Sequence, residues 1–210
     1  MQRSGEIRVF RLEVGDYGNN CYVVTDPRTQ ASAIIDAPAD GVRILEATAG
    51  THTTFVVITH QHSDHWGALS EVAEATGATV VAHRADAEAL PVRPERFVEH
   101  GDTLMVGTLP LRVLHTPGHT AGSICLVVGD HLFTGDTLFP GGPGHSTSPD
   151  TLRRTIESIT RNLYVLPSET IIYPGHGAGT TIGASIREYS VFTSRPHSPD
   201  LHGDVLWNES

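Results

Sequence analysis

Four turns of this sequence carry histidine and aspartate where apolar runs end, and any fold for the chain has to bring those turns together. The first is Thr59-His60-Gln61-His62-Ser63-Asp64-His65. The others are Pro117-Gly118-His119, Thr134-Gly135-Asp136 and Pro174-Gly175-His176. Imidazole and carboxylate are ligands that borderline divalent metals accept. His60, His62, Asp64, His65, His119, Asp136 and His176 therefore read as a two-metal site. His60 and His62 stand two residues apart, so on extended chain they face the same side. Asp64 and His65 follow as the chain turns toward a helix, and they can serve a second position nearby. Asp136 has two oxygens and can bridge, which a single histidine cannot. The expectation is two metals about 3.5–4 Å apart that lower the pKa of a shared water from ~15.7 to about 7. Asp64 is the candidate to orient that water or shuttle its proton. The glycines beside His119, Asp136 and His176 suit tight turns near a metal.

The pattern around these turns predicts the scaffold. Residues 7–14, 21–25, 33–36, 54–59 and 79–82 read as strands, with helices over 39–49, 67–75 and 84–90. A β-meander follows over 103–106, 109–115, 123–128 and 131–134, with a turn at Gly129-Asp130. After a Gly/Pro-rich loop at 139–149 come a helix over 150–162, a strand over 169–173 and a helix over 181–192. Two successive runs of strands then helix fit an α+β class, an αββα sandwich of two mixed sheets with helices outside. The ligand turns all follow strands, where a rigid scaffold displays chemistry.

Size and charge narrow the function. The 210 residues predict one domain over 1–193 with a polar C-terminal tail over 194–210. A net charge of −10 argues against a nucleic-acid surface. All 14 basic residues are Arg, so no lysine can act as nucleophile or carboxylate anchor. Cys21 and Cys125 lie in apolar runs and read as buried free thiols. The N-terminal MQRSGEIRVF lacks the apolar core of a signal peptide. No apolar run approaches the ~20 residues that cross a bilayer. A cytoplasmic monomer or homodimer acting on a small molecule, without nucleic-acid or membrane partners, is the expectation. His52, His83, His100, His131, His197 and His202 read as structural or surface residues, and His115 as core or support.

The HxHxDH run with His119, Asp136 and His176 resembles the metallo-β-lactamase-fold superfamily. The resemblance implies one metal on His60, His62 and His119, a second on Asp64, His65 and His176, and a bridge through Asp136. Flanking text, Asn20-Cys21-Tyr22, His115-Thr116-Pro117-Gly118-His119-Thr120, Gly135-Asp136-Thr137-Leu138-Phe139 and Tyr173-Pro174-Gly175-His176-Gly177, is similar to short glyoxalase II-like (hydroxyacylglutathione hydrolase-like) hydrolases. That implies hydrolysis of a thioester by a metal-bound hydroxide, with two divalent metals: Zn2+, or Fe or Mn. Full-length glyoxalase II has a C-terminal helical extension with basic contacts to glutathione, and the sequence stops short of one. Where many relatives carry Cys-Gly-Arg, this chain has Pro143-Gly144-His145. A mononuclear-iron persulfide dioxygenase using His60, His119 and Asp136, a lactone hydrolase and a non-catalytic metal-binding module remain alternatives. Trp66, Phe139, His145 and Arg187 are the candidate substrate contacts.

Overall fold

The computed structural model describes residues 7–209. Residues 1–6 and 210 lie outside that range, and with them most of the N-terminal stretch read above for a leader and the outer ends of the segments 1–193 and 194–210. Two six-stranded sheets face each other. The first runs β1 (Arg8–Val14), β2 (Asn19–Thr25), β3 (Ala31–Ile35), β4 (His52–Val57), β5 (Thr79–His83) and β6 (Arg96–Val98), in chain order. Its first three strands are antiparallel and the rest join in parallel. Helices α1 (Gly41–Ala47) and α2 (Leu69–Thr76) supply the parallel crossovers into β4 and β5.

The second sheet is built from β7 (Thr103–Val106), β8 (Leu109–His115), β9 (Ile124–Val128) and β10 (His131–Gly135). After these, a small hairpin of β11 (Leu138–Phe139) and β12 (Gly142–Pro143) stands apart. Helix α3 (Pro149–Ser158), strands β13 (Ile171–Pro174) and β14 (Thr180–Thr181), and helix α4 (Ile182–Thr193) complete the element order. The sheet order is β14-β13-β10-β9-β8-β7, with β10 and β13 parallel. Both sheets are therefore mixed, and the αββα expectation holds.

Period-two burial explains the layers. In β2, Tyr22 and Val24 point between the sheets, while Cys21 and Val23 point out onto α1 and α2. In β9, Ile124, Leu126 and Val128 join the central layer, and Cys125 and Val127 pack on the opposite face beneath α3 and α4. Both cysteines are buried and free, as read. Burial pushes the Cys125 thiol up to about 11, which keeps it protonated and inert.

Helix α3 begins at a Ser148 capping box and ends in one π-helical turn, Ile159–Leu163. The strand β6 was not read in the sequence, nor were the two-residue strands β11, β12 and β14. The segment 194–210 is polar in composition, but it is not detached: Val205 and Trp207 are buried in the core beneath α4. Trp207 lies 4.7 Å from Phe192 and 5.1 Å from Tyr189, centroid to centroid. Two aromatic anchors on α4, invisible to a reading by composition, draw the segment back. Among the described residues no helix is long and apolar enough to cross a membrane.

Candidate metal centre

The four ligand turns meet at one rim of the sandwich. Strand β4 runs on through Ile58 and Thr59 to His60, and the chain closes a 3-10 turn over Ser63–His65. His119 comes from the loop after β8, Asp136 from the end of β10 and His176 from the end of β13. The first sheet thus contributes four candidate ligands and the second sheet three.

The side chains form two overlapping clusters. His60 Nε2 lies 3.1 Å from His62 Nδ1, which lies 2.9 Å from His119 Nε2. On the other side, His65 Nε2 is 3.3 Å from His176 Nε2 and 3.8 Å from Asp64 Oδ2, and His176 Nε2 is 3.4 Å from that oxygen. Asp136 stands between the clusters. Its Oδ1 is 3.3 Å from His65, and its Oδ2 is 3.5 Å from His176, 3.8 Å from His119 and 4.0 Å from His60. Two nitrogens bound at about 2.0–2.1 Å to one tetrahedral ion stand roughly 3.3–3.4 Å apart. Both clusters are close to that spacing.

A buried atom without a hydrogen bond strengthens the fit. Asp136 Oδ1 is shielded from solvent and has no hydrogen-bond partner, although His65 Nε2 is near. Such an oxygen is costly unless a cation satisfies it. Gly175 leaves the room: a Cβ there would lie 2.1 Å from Asp136 Oδ1 and 2.6 Å from His65 Cε1. The glycine is needed for space beside the ligands rather than for a left-handed turn.

Electrostatics divides the site. Burial, then the charge on His65, holds His60 well below the ordinary histidine range, so it stays neutral with a lone pair to offer. Burial also lowers His119. Burial opposes charge on His65 as well, but the Asp36 and Asp136 carboxylates outweigh it and push His65 up to about 10. Burial would raise Asp136, yet the close imidazoles of His176 and His65 hold it well below the carboxylate range. Without metal, the protons that His65 and His176 hold do the neutralising, and an incoming cation displaces them.

Each inner imidazole except His62 is steered from behind. His65 Nδ1 meets Asp36 Oδ2 at 2.8 Å, and Asp36 also accepts from the Thr59 N–H and hydroxyl at 2.8 Å each. His60 Nδ1 is 3.1 Å from the Thr59 hydroxyl. His119 Nδ1 is 2.9 Å from the His145 carbonyl, and His176 Nδ1 is 3.1 Å from the Tyr17 carbonyl. Asn19 donates to Asp64 Oδ2 at 2.9 Å and to its carbonyl at 2.8 Å. Asp86, fully buried, ties two ligand loops together: it accepts from the N–H of Gln61 at 3.0 Å, the hydroxyl of Thr120 at 2.5 Å and the N–H of Gly122 at 2.7 Å. Such partners set tautomer and ring orientation.

The sequence reading missed Asp36, Asp86 and the role of Asn19. Asp36 had a signal, since it ends an apolar strand as the ligands do; Asp86 had none. His115 stacks on His83 at 4.0 Å and meets the Ala121 carbonyl at 2.9 Å, a support for the loop that carries His119.

A cavity of about 480 Å³ opens over Asp64, His119, Asp136 and His176. Phe139 and His145 line it, together with Tyr17, Pro143, Asp204 and Leu206, which the sequence reading did not single out. The His145 ring is turned to Asp204 Oδ1, 2.9 Å away. Trp66 is elsewhere: its indole packs beside α2 and donates to the Gln61 carbonyl at 2.8 Å. Arg187 is exposed on α4 and is not part of the cavity wall. A second hollow, of about 520 Å³, flanks Asp64 on the side of Gly15–Asn19 and Pro38–Asp40, but it touches no other ligand.

Comparison with known proteins gives this geometry a context. The profile of the Metallo-beta-lactamase superfamily matches residues 14–176. A hydroxyacylglutathione hydrolase of Rhodopseudomonas palustris (strain BisB18) is 39% identical over 177 residues, 82% of this chain and 67% of the relative. The chain thus spans about two thirds of that relative's length. The crystal structure of ETHE1 from Myxococcus xanthus superposes with a TM-score of 0.76 at 34% identity, over 86% of this chain and 82% of the other. The structure of TTHA1623 in a di-iron-bound form superposes with a TM-score of 0.73 at 30% identity, over 85% and 98%.

Proposed function

This chain belongs to the metallo-β-lactamase superfamily of metal-dependent hydrolases, and from that premise we propose that it is a two-metal thioester hydrolase of the glyoxalase II type. The observation that carries the proposal is the completeness of the second ligand cluster. Asp64, His65 and His176 converge beside Asp136, which offers a second metal ion a ligand set of its own. We take the metals to be zinc, in a chain acting on a small thioester in the cytoplasm. The hydroxyacylglutathione hydrolase name of the 39%-identical relative and the di-iron form of the 30%-identical one support this reading.

Divalent metals held by the seven residues would supply a water acidified to near neutrality and a charge that polarises a carbonyl. The chain's own residues do the rest. Hydrolysis puts the hydroxyl of water on the acyl carbon and its proton on the departing thiolate. Asp64 is placed for that proton: its side chain is 31% exposed, it borders the cavity, and Asn19 fixes its Oδ2 at 2.9 Å. Asp136 is more deeply buried and stands within 4.0 Å of His60, His65, His119 and His176, so its role is to hold the two clusters in register. Phe139, whose ring centroid is 6.3 Å from that of His176, and Pro143 give an apolar wall against which an acyl chain can lie.

Metal analysis coupled to a thioester panel tests the reading. We expect two metals per chain and metal-dependent thioester turnover that disappears in Asp64→Ala. His60→Ala and Asp136→Ala should lose metal and activity together; retention of both in either variant would mean a misassigned site. One tightly bound iron per chain, with oxygen consumed on a persulfide, would overturn the proposal in favour of a dioxygenase using His60, His119 and Asp136. Turnover confined to lactones would point to that chemistry instead. Metal bound without turnover of any of these would leave a binding module.

A further inference from the structure

The segment that returns from α4 ends as one wall of the metal-site cavity. Gly203 pairs with Ser146 as an antiparallel bridge, its N–H donating to the Ser146 carbonyl at 2.9 Å. Directly after the cavity-facing residues, the Trp207 N–H donates to the Gly141 carbonyl at 2.7 Å, and its indole is fully buried. Gly142 lets the strap lie this close, since a Cβ there would come within 2.4 Å of the Val205 carbonyl. Pinned on both sides, residues Asp204 to Leu206 face the cavity over the ligands.

The character of that wall differs from what an anionic carrier requires. Leu206, Phe139, Pro143 and Tyr17 give it apolar surface. Among the described residues lining the cavity there is no Arg, and Asp204 adds a negative charge to the rim, 86% exposed on its side chain. Glutathione carries two carboxylates and one ammonium. Its carboxylates would meet no Arg at this wall and one carboxylate, Asp204, whose side-chain partner there is His145 at 2.9 Å, and like-charge juxtaposition costs binding. An uncharged carrier loses nothing there and gains contact with Leu206 and Phe139.

We propose that the strap 203–207 is the specificity-determining wall of the site and that it selects thioesters of an uncharged, partly apolar thiol over those of anionic ones. The identity of the reacting bond rests on the thioesterase reading above; the charge preference of the wall does not. The test therefore has two arms, both on the metal-loaded full chain. In the first, acetyl thioesters of N-acetylcysteamine, which is uncharged, and of glutathione are compared. The expected kcat/KM favours the uncharged carrier by about tenfold, carried by KM. Asp204→Arg should shift that ratio toward glutathione by a similar factor, and Leu206→Arg should do the same from a second position if Asp204→Arg fails to fold.

In the second arm, calorimetry measures binding of the non-hydrolysable S-hexyl thioethers of the same two carriers. The uncharged thioether should bind more tightly, and Asp204→Arg should narrow or reverse the difference. Tighter binding of the uncharged thioether with no thioester turned over would sink the thioesterase reading and leave the wall's preference standing. Turnover of both thioesters with glutathione equal or preferred, and unmoved by either substitution, would overturn the inference alone. Binding of neither thioether would also overturn it.

Discussion

At the scale of single residues, the centre depends on groups that never touch a metal. Asp86 is the plainest case. Its carboxylate joins the backbone at Gln61, between His60 and His62, to Thr120 and Gly122, which flank the His119 loop. Asp86→Asn replaces one acceptor oxygen by a donor facing N–H and hydroxyl groups. We expect it to weaken metal binding by about 10–100-fold, as loss of an outer partner typically does. Competition with a chelator, read by metal retained per chain, checks this, and the metal on His60, His62 and His119 should be released before the one on Asp64, His65 and His176. Unchanged retention would make Asp86 a fold residue only. The seven candidate ligands could be picked out in the sequence because they crowd at strand ends, where little else explains them. Asp86 was not, because its partners are 25 to 36 residues away and nothing in its own neighbourhood, Arg84-Ala85-Asp86-Ala87, distinguishes it from a surface turn.

At the scale of elements, the turns do as much as the strands to hold the two sheets in register. The β2–β3 turn presents Asp26 to the β7–β8 turn: Asp26 Oδ2 accepts from the Thr108 N–H at 2.7 Å and its hydroxyl at 2.8 Å, and from Thr29 at 3.0 Å. Burial alone would raise this carboxyl, but those donors and the Arg28 N–H hold it well below the usual carboxylate range. A depressed pKa means the carboxylate stabilises the fold above its unfolded value of about 4, and that this contribution is lost as pH falls through the native value. Asp26→Asn should cost about 1–3 kcal/mol at pH 7. The gap from wild type should shrink below about pH 4, as measured by denaturant unfolding across pH. A gap independent of pH would mean packing rather than charge is at stake. The strands themselves were legible from alternation, β2 and β9 above all. Strand β6, three residues long and ending the first sheet beside β5, carries too short a pattern to be seen without its neighbour.

At the scale of the whole molecule, the third core layer is closed by a segment that sequence composition assigns to solvent. Trp207 is 0% exposed and sits among Tyr189, Phe192 and Leu163. Trp207→Ala should therefore cost about 3–5 kcal/mol, as for other buried aromatics. Thermal or urea unfolding reads the loss, and an unchanged midpoint would show the segment to be an ornament on a finished core. The polar look of 194–210 comes from exposed residues such as Ser194, Arg195, Ser198 and Asp200; His197, stacked 3.8 Å from Phe192, and the buried Val205 and Trp207 turn inward, toward partners on α4 that a linear reading cannot place beside them.

The candidate metal centre lies across the seam between the sheets, with four candidate ligands arriving from one and three from the other. Neither half of the chain carries all seven candidate ligands. Metal held tightly would therefore report assembly: in a purified preparation, its ratio to protein sets a floor on the fraction of molecules whose two halves have met correctly.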